Sequence, residues 1–267
     1  MTDSFYFDNT NGVKTLRCRT LDEIGFKKHC FTTRAGGVSR GYLSETNLSF
    51  SREARENVLE NYRRVFEAAG FSGSAVLSNQ EHTDIVLTVD GTHKTGGFWT
   101  ADRAADGFVT NERGLCLVIF VADCVPVIIA DPQKKAAACV HSGWRGTALG
   151  ITAAAVRKLM QNYGCDPRDM TAAVGPCIGA CCYEVGQDVF DGFTARDLSL
   201  SRFFEKKTGG KYMLDLNGAN RAVLESAGLL PENIHLSCEC TYCNSDIYYS
   251  HRATNGKRGN MAAMVEI

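Results

Sequence analysis

The residues best suited to chemistry lie in one stretch, VADCVPVIIADPQKKAAACVHSGWRG, at residues 121–146. Residues 125–130 and 136–141 are short apolar runs, so both are predicted strands, and the Asp-Pro pair that follows the first run suits a type I turn. With the loop centred just after that pair, Cys124 and His141 are predicted to lie directly opposite each other. Opposed residues have Cβ atoms about 4.5–5.5 Å apart, which is close enough to share a ligand.

A neighbouring cysteine and histidine have three interpretations. The pair is a buried thiol beside a hydrogen-bonded histidine, a thiol nucleophile with its base, or two metal ligands. A third ligand favours the metal, and His82 in SNQEHTD lies in a connection between two predicted strands, from which it could point inward. Two histidines and one cysteine around an open fourth position suit catalytic zinc. Copper is the alternative, because imidazole and thiolate also bind it.

The composition is that of an ordinary globular chain. The sequence has 267 residues, 44% of them hydrophobic and 22% charged, and a net charge of −1. This balance gives no electrostatic case for binding nucleic acid or an anionic membrane. Residues 1–13 lack the pattern of a signal peptide, and no apolar run approaches the ~18 residues of a membrane helix, so a cytoplasmic location is expected. In that compartment the twelve cysteines are predicted to be reduced thiols.

The elements around the stretch alternate between strands and helices. A hairpin is predicted around Asn11-Gly12, an amphipathic helix is predicted to stop at Gly70, and a second helix is predicted to run from residue 147 to Gly164. Residues 116–141 are predicted to be adjacent central strands. The fold class is therefore α/β, a single domain over residues 1–267 with layered mixed β-sheets flanked by helices.

Two cysteine-rich stretches have weaker interpretations. CECTYC contains one C-x-x-C pair, Cys240 and Cys243, and no second pair follows it, so a second metal is not predicted there. GPCIGACCYEV resembles a phosphate-cradling loop at the start of a helix, although its Gly-Pro pair is also explained as a simple turn.

Seven motifs occur together in a recognisable order: FTTRAGGVS, NQEH, DGFVT, ADCVPV, HSGWRG, GPCIGACCYEV and CTYCNSDIYYSHRATNGKRGNMAAMV. Over about residues 30–267 the chain closely resembles the laccase-domain, or polyphenol-oxidase-like, family of purine nucleoside phosphorylases. The resemblance implies a one-domain α/β fold of layered mixed sheets. It also implies zinc-linked phosphorolysis of adenosine, inosine, guanosine and methylthioadenosine, together with adenosine deamination.

Position by position, the family's metal ligands fall on His82, Cys124 and His141. The chain departs from the family pattern on both sides of the first histidine, where it has Glu81 and Thr83 in place of a small aliphatic residue and glycine. The C-terminal motif is also only partly kept, as SHRA.

The implied activities need further groups. For deamination, Asp123 is the candidate catalytic residue for proton transfer, with a loop-fixing hydrogen bond as the alternative role. For phosphorolysis, Arg145 and Arg34 are the candidate phosphate-binding residues, with surface ion pairs as the alternative. The expected partners are purine nucleosides and phosphate, without nucleic acid or membrane, and the sequence predicts no oligomeric state.

Three other functions remain open from the residues alone. A copper-dependent polyphenol oxidase would need copper and oxygen, and one cysteine ligand without further copper ligands makes that chemistry difficult to build. A Cys-His thiol hydrolase would survive chelation and would not need His82. A binding or scaffold protein would have no turnover.

Overall fold

Residues 4–267 are described by the computed structural model, and they form a mixed α/β fold. Sixteen strands are present in this part of the chain: Phe5–Thr10 (β1), Val13–Cys18 (β2), Lys28–Thr32 (β3), Ser74–Leu77 (β4), Val86–Thr88 (β5), Phe98–Thr100 (β6), Gly107–Thr110 (β7), Leu115–Val121 (β8), Val125–Asp131 (β9), Ala136–Ser142 (β10), Thr171–Val174 (β11), Glu184–Val185 (β12), Phe204–Lys206 (β13), Tyr212–Leu214 (β14), Ile234–Leu236 (β15) and Met261–Glu266 (β16). The α-helices of the same residues are Arg19–Glu23 (α1), Arg55–Ala69 (α2), Trp144–Leu149 (α3), Ile151–Tyr163 (α4), Gln187–Thr194 (α5) and Leu216–Ser226 (α6).

The strands form two large mixed sheets and one small antiparallel sheet. The first has seven strands in the order β1-β2-β3-β16-β8-β4-β6, and the second has six in the order β15-β11-β9-β10-β7-β5. The small sheet has the order β12-β14-β13. The predicted fold class, a single α/β domain with layered mixed sheets flanked by helices, is confirmed.

The two large sheets are held together by alternating apolar side chains. Leu117 and Ile119 of β8 share one buried cluster with Ile128 of β9, whereas Val118 belongs to a cluster with α2 and Ile129 to one with α4 and α6. Successive side chains of a strand point to opposite faces, so each central strand supplies two layers of core. The order of layers is therefore α2, the seven-stranded sheet, the six-stranded sheet, and the helices that include α4 and α6.

Several local predictions are confirmed. The first two strands are joined at Asn11 and Gly12, which both have positive φ angles, as a type I′ hairpin turn requires. Helix α2 ends at Gly70, which adopts the left-handed conformation. His82 lies in the connection between β4 and β5.

The helix predicted from residue 147 to Gly164 is not continuous in the structure. The chain forms α3 and then α4, and Gly150 between them has a φ of 78°. A left-handed residue breaks the helical hydrogen-bond ladder, and glycine takes that conformation without steric cost. The predicted stop at Gly164 is correct.

The prediction that residues 116–141 are adjacent strands is only partly correct. Strands β9 and β10 are paired, but β8 belongs to the other large sheet. The short link from β8 to β9 contains Asp123 with a φ of 87°, and this sharp turn carries the chain from one layer to the next. Within residues 4–267, every helix is too short or too polar to cross a lipid bilayer.

Candidate metal centre

Three side chains that could bind a metal converge where the chain passes between the two large sheets. His82 lies between β4 and β5, Cys124 lies directly before β9, and His141 lies in β10. One donor atom from each lies within 4.8 Å of the other two. The Cys124 Sγ is 3.7 Å from the His82 Nε2, and the two imidazole rings are 4.9 Å apart and nearly perpendicular. The trio nominated from the sequence is therefore brought together.

The hairpin register differs from the predicted one. His141 is paired with Pro126, and the turn occupies four residues between β9 and β10, so the register is shifted by two positions. Continuing the ladder, Cys124 lies opposite Gly143. A Cβ added to Gly143 would lie 2.7 Å from the His82 Cδ2 and 3.1 Å from the Cys124 Sγ. The missing side chain of Gly143 thus leaves the space in which the three donors meet.

Asp106 organises two of the three donors, and the sequence reading did not identify it. Its fully buried carboxylate accepts a hydrogen bond from the His141 Nδ1 at 2.7 Å. This contact leaves the His141 Nε2 free to act as a ligand atom. The signal available in the sequence was only that Asp106 is the first residue of the motif DGFVT.

The same carboxylate also fixes the loop that carries the first histidine. The backbone N–H groups of Glu81, His82 and Thr83 donate to Asp106 at 3.3, 3.1 and 2.7 Å. The Thr83 hydroxyl adds a further bond at 2.7 Å. These bonds hold His82 at a φ of 60°, a conformation that is costly for a residue other than glycine. The departure from the family pattern at Thr83 therefore gives this loop an additional anchor.

The charges of the centre favour a Cys124 thiolate beside a protonated His141. Burial opposes ionisation of Cys124, but the positive charges of His141 and His82 lower its pKa to about 6. Burial opposes protonation of His141, but Cys124 and Asp106 raise its pKa to about 9. Burial acts against ionised Asp106 as well, but bonds from His141 and Thr83 lower its pKa to about 2. The two negative groups, Cys124 and Asp106, favour a positive charge between them. A metal ion bound there would take the place of the His141 Nε2 proton, because metal ligands bind in their deprotonated forms.

Asp123 lines the same space but is already hydrogen-bonded at both carboxylate oxygens. Its Oδ1 accepts from the Thr241 hydroxyl at 2.6 Å and its Oδ2 accepts from the Arg252 N–H at 2.7 Å. Its own carbonyl accepts from the Ile178 N–H at 2.9 Å. These bonds supply the loop-fixing role that the sequence left open beside proton transfer.

The two arginines nominated for phosphate lie in different places. Arg145 is exposed, lies over the Trp144 ring at 4.5 Å and lines the cavity beside the donors. Arg34 is not among the residues that line this cavity. Its guanidinium donates instead to the backbone carbonyls of Ser44 and Ser245, at 2.8 to 3.1 Å.

The cavity in front of the three donors has a volume of about 550 Å³. Its basic lining consists of Arg145, His251, Arg252 and Arg258. Arg258 donates to the Gly259 carbonyl and to the Asn260 side chain, while its buried Nε has no hydrogen-bond partner within residues 4–267. Burial also lowers the pKa of Arg258. Arg258 was not nominated from the sequence, because its place in GKRGN gives no sign of burial.

The stretch GPCIGACCYEV forms a loop that ends in β12, and α5 begins at Gln187, two residues after the stretch. Its phosphate-cradling interpretation stays a prediction. From this stretch, Tyr183 lines the cavity.

This arrangement defines a class of protein: a mixed α/β fold with a His-Cys-His centre at the floor of a basic cavity. The chain belongs to the family described as multi-copper polyphenol oxidoreductase laccase, whose pattern matches residues 28–267.

The curated relatives are named as purine nucleoside phosphorylases. YlmD of Bacillus subtilis is 33% identical over 88% of this chain and 86% of its own length. The purine nucleoside phosphorylase of Deinococcus radiodurans is 37% identical over 89% of this chain and 88% of its own length. LACC1 of Mus musculus is 36% identical over 84% of this chain but only 51% of its own length. The chain thus spans about half the length of the mammalian relatives that it matches.

Two solved structures share the fold over nearly the whole chain. The hypothetical protein YfiH of Bacillus licheniformis superposes with a TM-score of 0.92 at 30% identity, with 100% of both chains covered. YlmD of Geobacillus stearothermophilus superposes with a TM-score of 0.88 at 30% identity, with 99% of both chains covered.

Proposed function

We propose that this protein is a zinc-linked purine nucleoside phosphorylase acting on adenosine, inosine, guanosine and methylthioadenosine, with adenosine deaminase activity. The observation that carries the proposal is the His82, Cys124 and His141 triangle at the floor of a cavity with several basic residues. The names of the relatives, which are purine nucleoside phosphorylases, support the same reaction class.

The donor set fits a zinc ion. Two imidazoles and one thiolate supply three protein ligands, and the cavity provides access to a fourth position, as in catalytic zinc sites. Zinc bound there would supply Lewis-acid chemistry to the cavity. The chain's own contribution is positioning, because Asp106 holds His141 and the His82 loop in place. Copper is the alternative metal.

The arginines fit the second substrate. Replacing a purine at C1′ with phosphate develops positive charge on the sugar, so an anion must be held close beneath it. Guanidinium groups are suited to phosphate because their planar fork donates two parallel hydrogen bonds. Arg145 lines the cavity, and the unpartnered Nε of Arg258 is a donor in need of an acceptor. Arg34 retains a place in this proposal only through the sequence, since backbone carbonyls occupy its guanidinium.

The first prediction concerns phosphate. Base release from inosine should depend on added phosphate, and Arg145→Ala should raise the phosphate KM by roughly 10–100-fold, the loss expected for a charge-assisted hydrogen bond. The inosine KM should change much less. Initial rates measured over a grid of both substrates test this. Arg168→Ala, which removes an exposed arginine paired with Asp166, is the matched control. Equal rates without phosphate would identify a hydrolase instead.

The second prediction concerns deamination. If Asp123 moves protons, Asp123→Asn should lower adenosine deamination by roughly 10²–10⁴-fold and leave inosine phosphorolysis much less affected. If its only role is to hold Thr241 and Arg252, both activities and the melting temperature should fall together. Paired assays of ammonia and of free base, with thermal unfolding of the same variant, separate the two roles. An unchanged deamination rate would remove Asp123 from the reaction.

A thiol hydrolase remains the second candidate, because one observation favours it. Cys124 with a lowered pKa, His141 and Asp106 form a nucleophile, base and orienting carboxylate. Such an enzyme would lose activity to a thiol alkylator, survive chelation and tolerate His82→Ala. A copper-dependent polyphenol oxidase also remains a candidate because of the family description. Oxygen consumption in the presence of copper is the assay that tests it.

We also propose a cytoplasmic location. All twelve cysteines are free thiols, which fits a reducing compartment.

A further inference from the structure

Four cysteines outside the metal centre meet in a second cluster. Cys181 and Cys182 lie between β11 and β12, and Cys240 and Cys243 lie between β15 and β16. Their sulfur atoms all lie within 4.8 Å of one another. The Cys243 Sγ is 3.7 Å from that of Cys181 and 3.4 Å from that of Cys182.

These separations match a tetrahedral ion rather than a disulfide. Zinc–sulfur bonds of about 2.3 Å place the four sulfurs of a tetrahedron about 3.8 Å apart. A disulfide brings two sulfurs to about 2.05 Å, and all four cysteines are free. An iron–sulfur cluster, with its own bridging atoms inside the ligand shell, would spread the cysteines further than this spacing allows.

The backbone builds the cluster from both sides. Cys177 forms an isolated β-bridge with Cys240, and the Thr241 N–H donates to the Cys177 carbonyl at 2.9 Å. The Gly179 N–H donates to the Cys240 Sγ at 3.2 Å, the kind of bond that supports a metal-bound thiolate. A Cβ on Gly179 would lie 3.3 Å from the Cys181 Sγ, so the lack of a side chain at Gly179 lets the sulfur atom lie this close to the backbone.

The sequence predicted no second metal here because no second cysteine pair follows Cys243. The missing pair lies about sixty residues upstream, and it consists of adjacent cysteines rather than a C-x-x-C. The bridge between Cys177 and Cys240 is the tertiary contact that joins the two pairs.

We propose that Cys181, Cys182, Cys240 and Cys243 bind a structural zinc ion, separate from the His-Cys-His centre. Four protein ligands close the coordination shell, so this ion would take no part in the reaction. Binding would release the thiol protons, and affinity would therefore fall at acid pH.

The second ion would stabilise the part of the cavity wall that contains Asp123. The two cysteine-bearing segments both bond Asp123, one through the Ile178 N–H and the other through the Thr241 hydroxyl. Asp123 immediately precedes Cys124. Fixing these segments together would therefore steady the turn that presents the cysteine ligand of the first centre.

The test is a metal titration of the whole protein, stripped with a chelator and kept under argon with a phosphine reductant. Wild type should bind two zinc ions per chain. Cys124→Ser should keep the ion of the four-cysteine site, and cobalt added to this variant should give the intense sulfur-to-cobalt absorption of a tetrahedral thiolate site. Adding Cys240→Ser and Cys243→Ser to the Cys124→Ser variant should remove that absorption, and in the wild-type background the same two substitutions should remove one zinc equivalent. Cys238→Ser, which removes an exposed cysteine of the same segment, should bind as wild type.

A second measurement needs only wild-type protein and so does not depend on the folding of a variant. Cys181 and Cys243 are exposed and should react quickly with a thiol reagent when metal is absent. Zinc should protect them, with the protected residues identified by peptide mass spectrometry. Failure of zinc to protect these cysteines, or a cobalt spectrum without thiolate bands in Cys124→Ser, would overturn the proposal. So would a disulfide within the cluster whose reduction leaves no zinc binding. The number of bound zinc ions is measured without an activity assay. A protein that binds zinc at this site but does not phosphorolyse nucleosides would therefore contradict the proposed function and not the four-cysteine site.

Discussion

At the residue scale, Asp106 has the largest influence on the metal centre without being a ligand. One buried carboxylate sets the ring orientation of His141 and the conformation of the His82 loop. Residues that orient metal ligands commonly make a large contribution to metal affinity. In the sequence Asp106 is the first residue of the motif DGFVT, and that motif does not indicate which distant side chains the carboxylate contacts.

The third prediction follows from this contact. Asp106→Asn should weaken zinc binding to the His-Cys-His centre by roughly 10–100-fold, since an amide does not fix the imidazole as a carboxylate does. Competition with a fluorescent zinc chelator measures the change. Asp102→Asn alters an exposed aspartate nearby and serves as the control. Equal affinities in the two variants would mean that Asp106 serves only to hold the fold.

At the element scale, the sequence identified the strands, but not their exact register. The apolar runs of β9 and β10 predict a hairpin, yet a four-residue turn shifted the pairing by two positions. The donor atoms of Cys124, His141 and His82 still meet, and Gly143 opposite Cys124 leaves room for the side chains of Cys124 and His82. The family motifs nominated His82, Cys124 and His141 independently of that register. The structure brings these three side chains together although the predicted pairing of the two strands was wrong.

Another element-scale feature joins β16 to β3 and to the loop that precedes β4. Glu266 of β16 is only 2% exposed and accepts from the Lys28 Nζ at 2.6 Å and from the Ser72 and Gly73 N–H groups at 2.8 and 2.9 Å. Burial raises the pKa of Glu266, but these bonds outweigh it and leave the pKa below its usual value. The carboxylate therefore stabilises the folded state when it is ionised.

The fourth prediction is a pH-dependent loss of stability. Because the folded-state pKa of Glu266 is lowered, its contribution is fully present above the unfolded-state value of about 4.3 and is lost as pH falls through the folded-state value. Glu266→Gln should lower the free energy of unfolding by about 1–3 kcal/mol at neutral pH, with a smaller difference in acid. Denaturant unfolding at several pH values measures this. Glu205→Gln, in an exposed pair with Lys207, should have little effect. A loss that stays constant with pH would contradict the charge argument.

At the scale of the whole molecule, the fold class followed from the alternation of strand and helix patterns, whereas the assignment of strands to sheets did not. Strand β8 is continuous in sequence with β9 but belongs to the other layer. The turn at Asp123 that separates them depends on contacts with Ile178, Thr241 and Arg252, which are distant in sequence. Local sequence patterns do not predict contacts between residues that are distant in sequence. The same reason explains why the four-cysteine cluster was missed.

The fifth prediction is that residues 1–267 behave as one domain. The buried clusters combine strands from both halves of the chain, since β3 and β16 are paired and both large sheets share one core. Limited proteolysis should therefore degrade the protein without leaving two stable halves, and thermal unfolding should show a single transition. Two persistent fragments that fold separately after purification would refute this expectation.

The position of the His-Cys-His centre has a consequence for the folding equilibrium. His82 and Cys124 both lie on links that leave the seven-stranded sheet for the six-stranded one, and His141 belongs to the six-stranded sheet itself. An ion held by all three is a crosslink between the layers that only the native arrangement can form. By mass action, free metal at 100 times its dissociation constant would add about 2.7 kcal/mol to native stability. An ion bound at this centre would thus also stabilise the fold. The melting temperature of the protein would rise with the concentration of free metal.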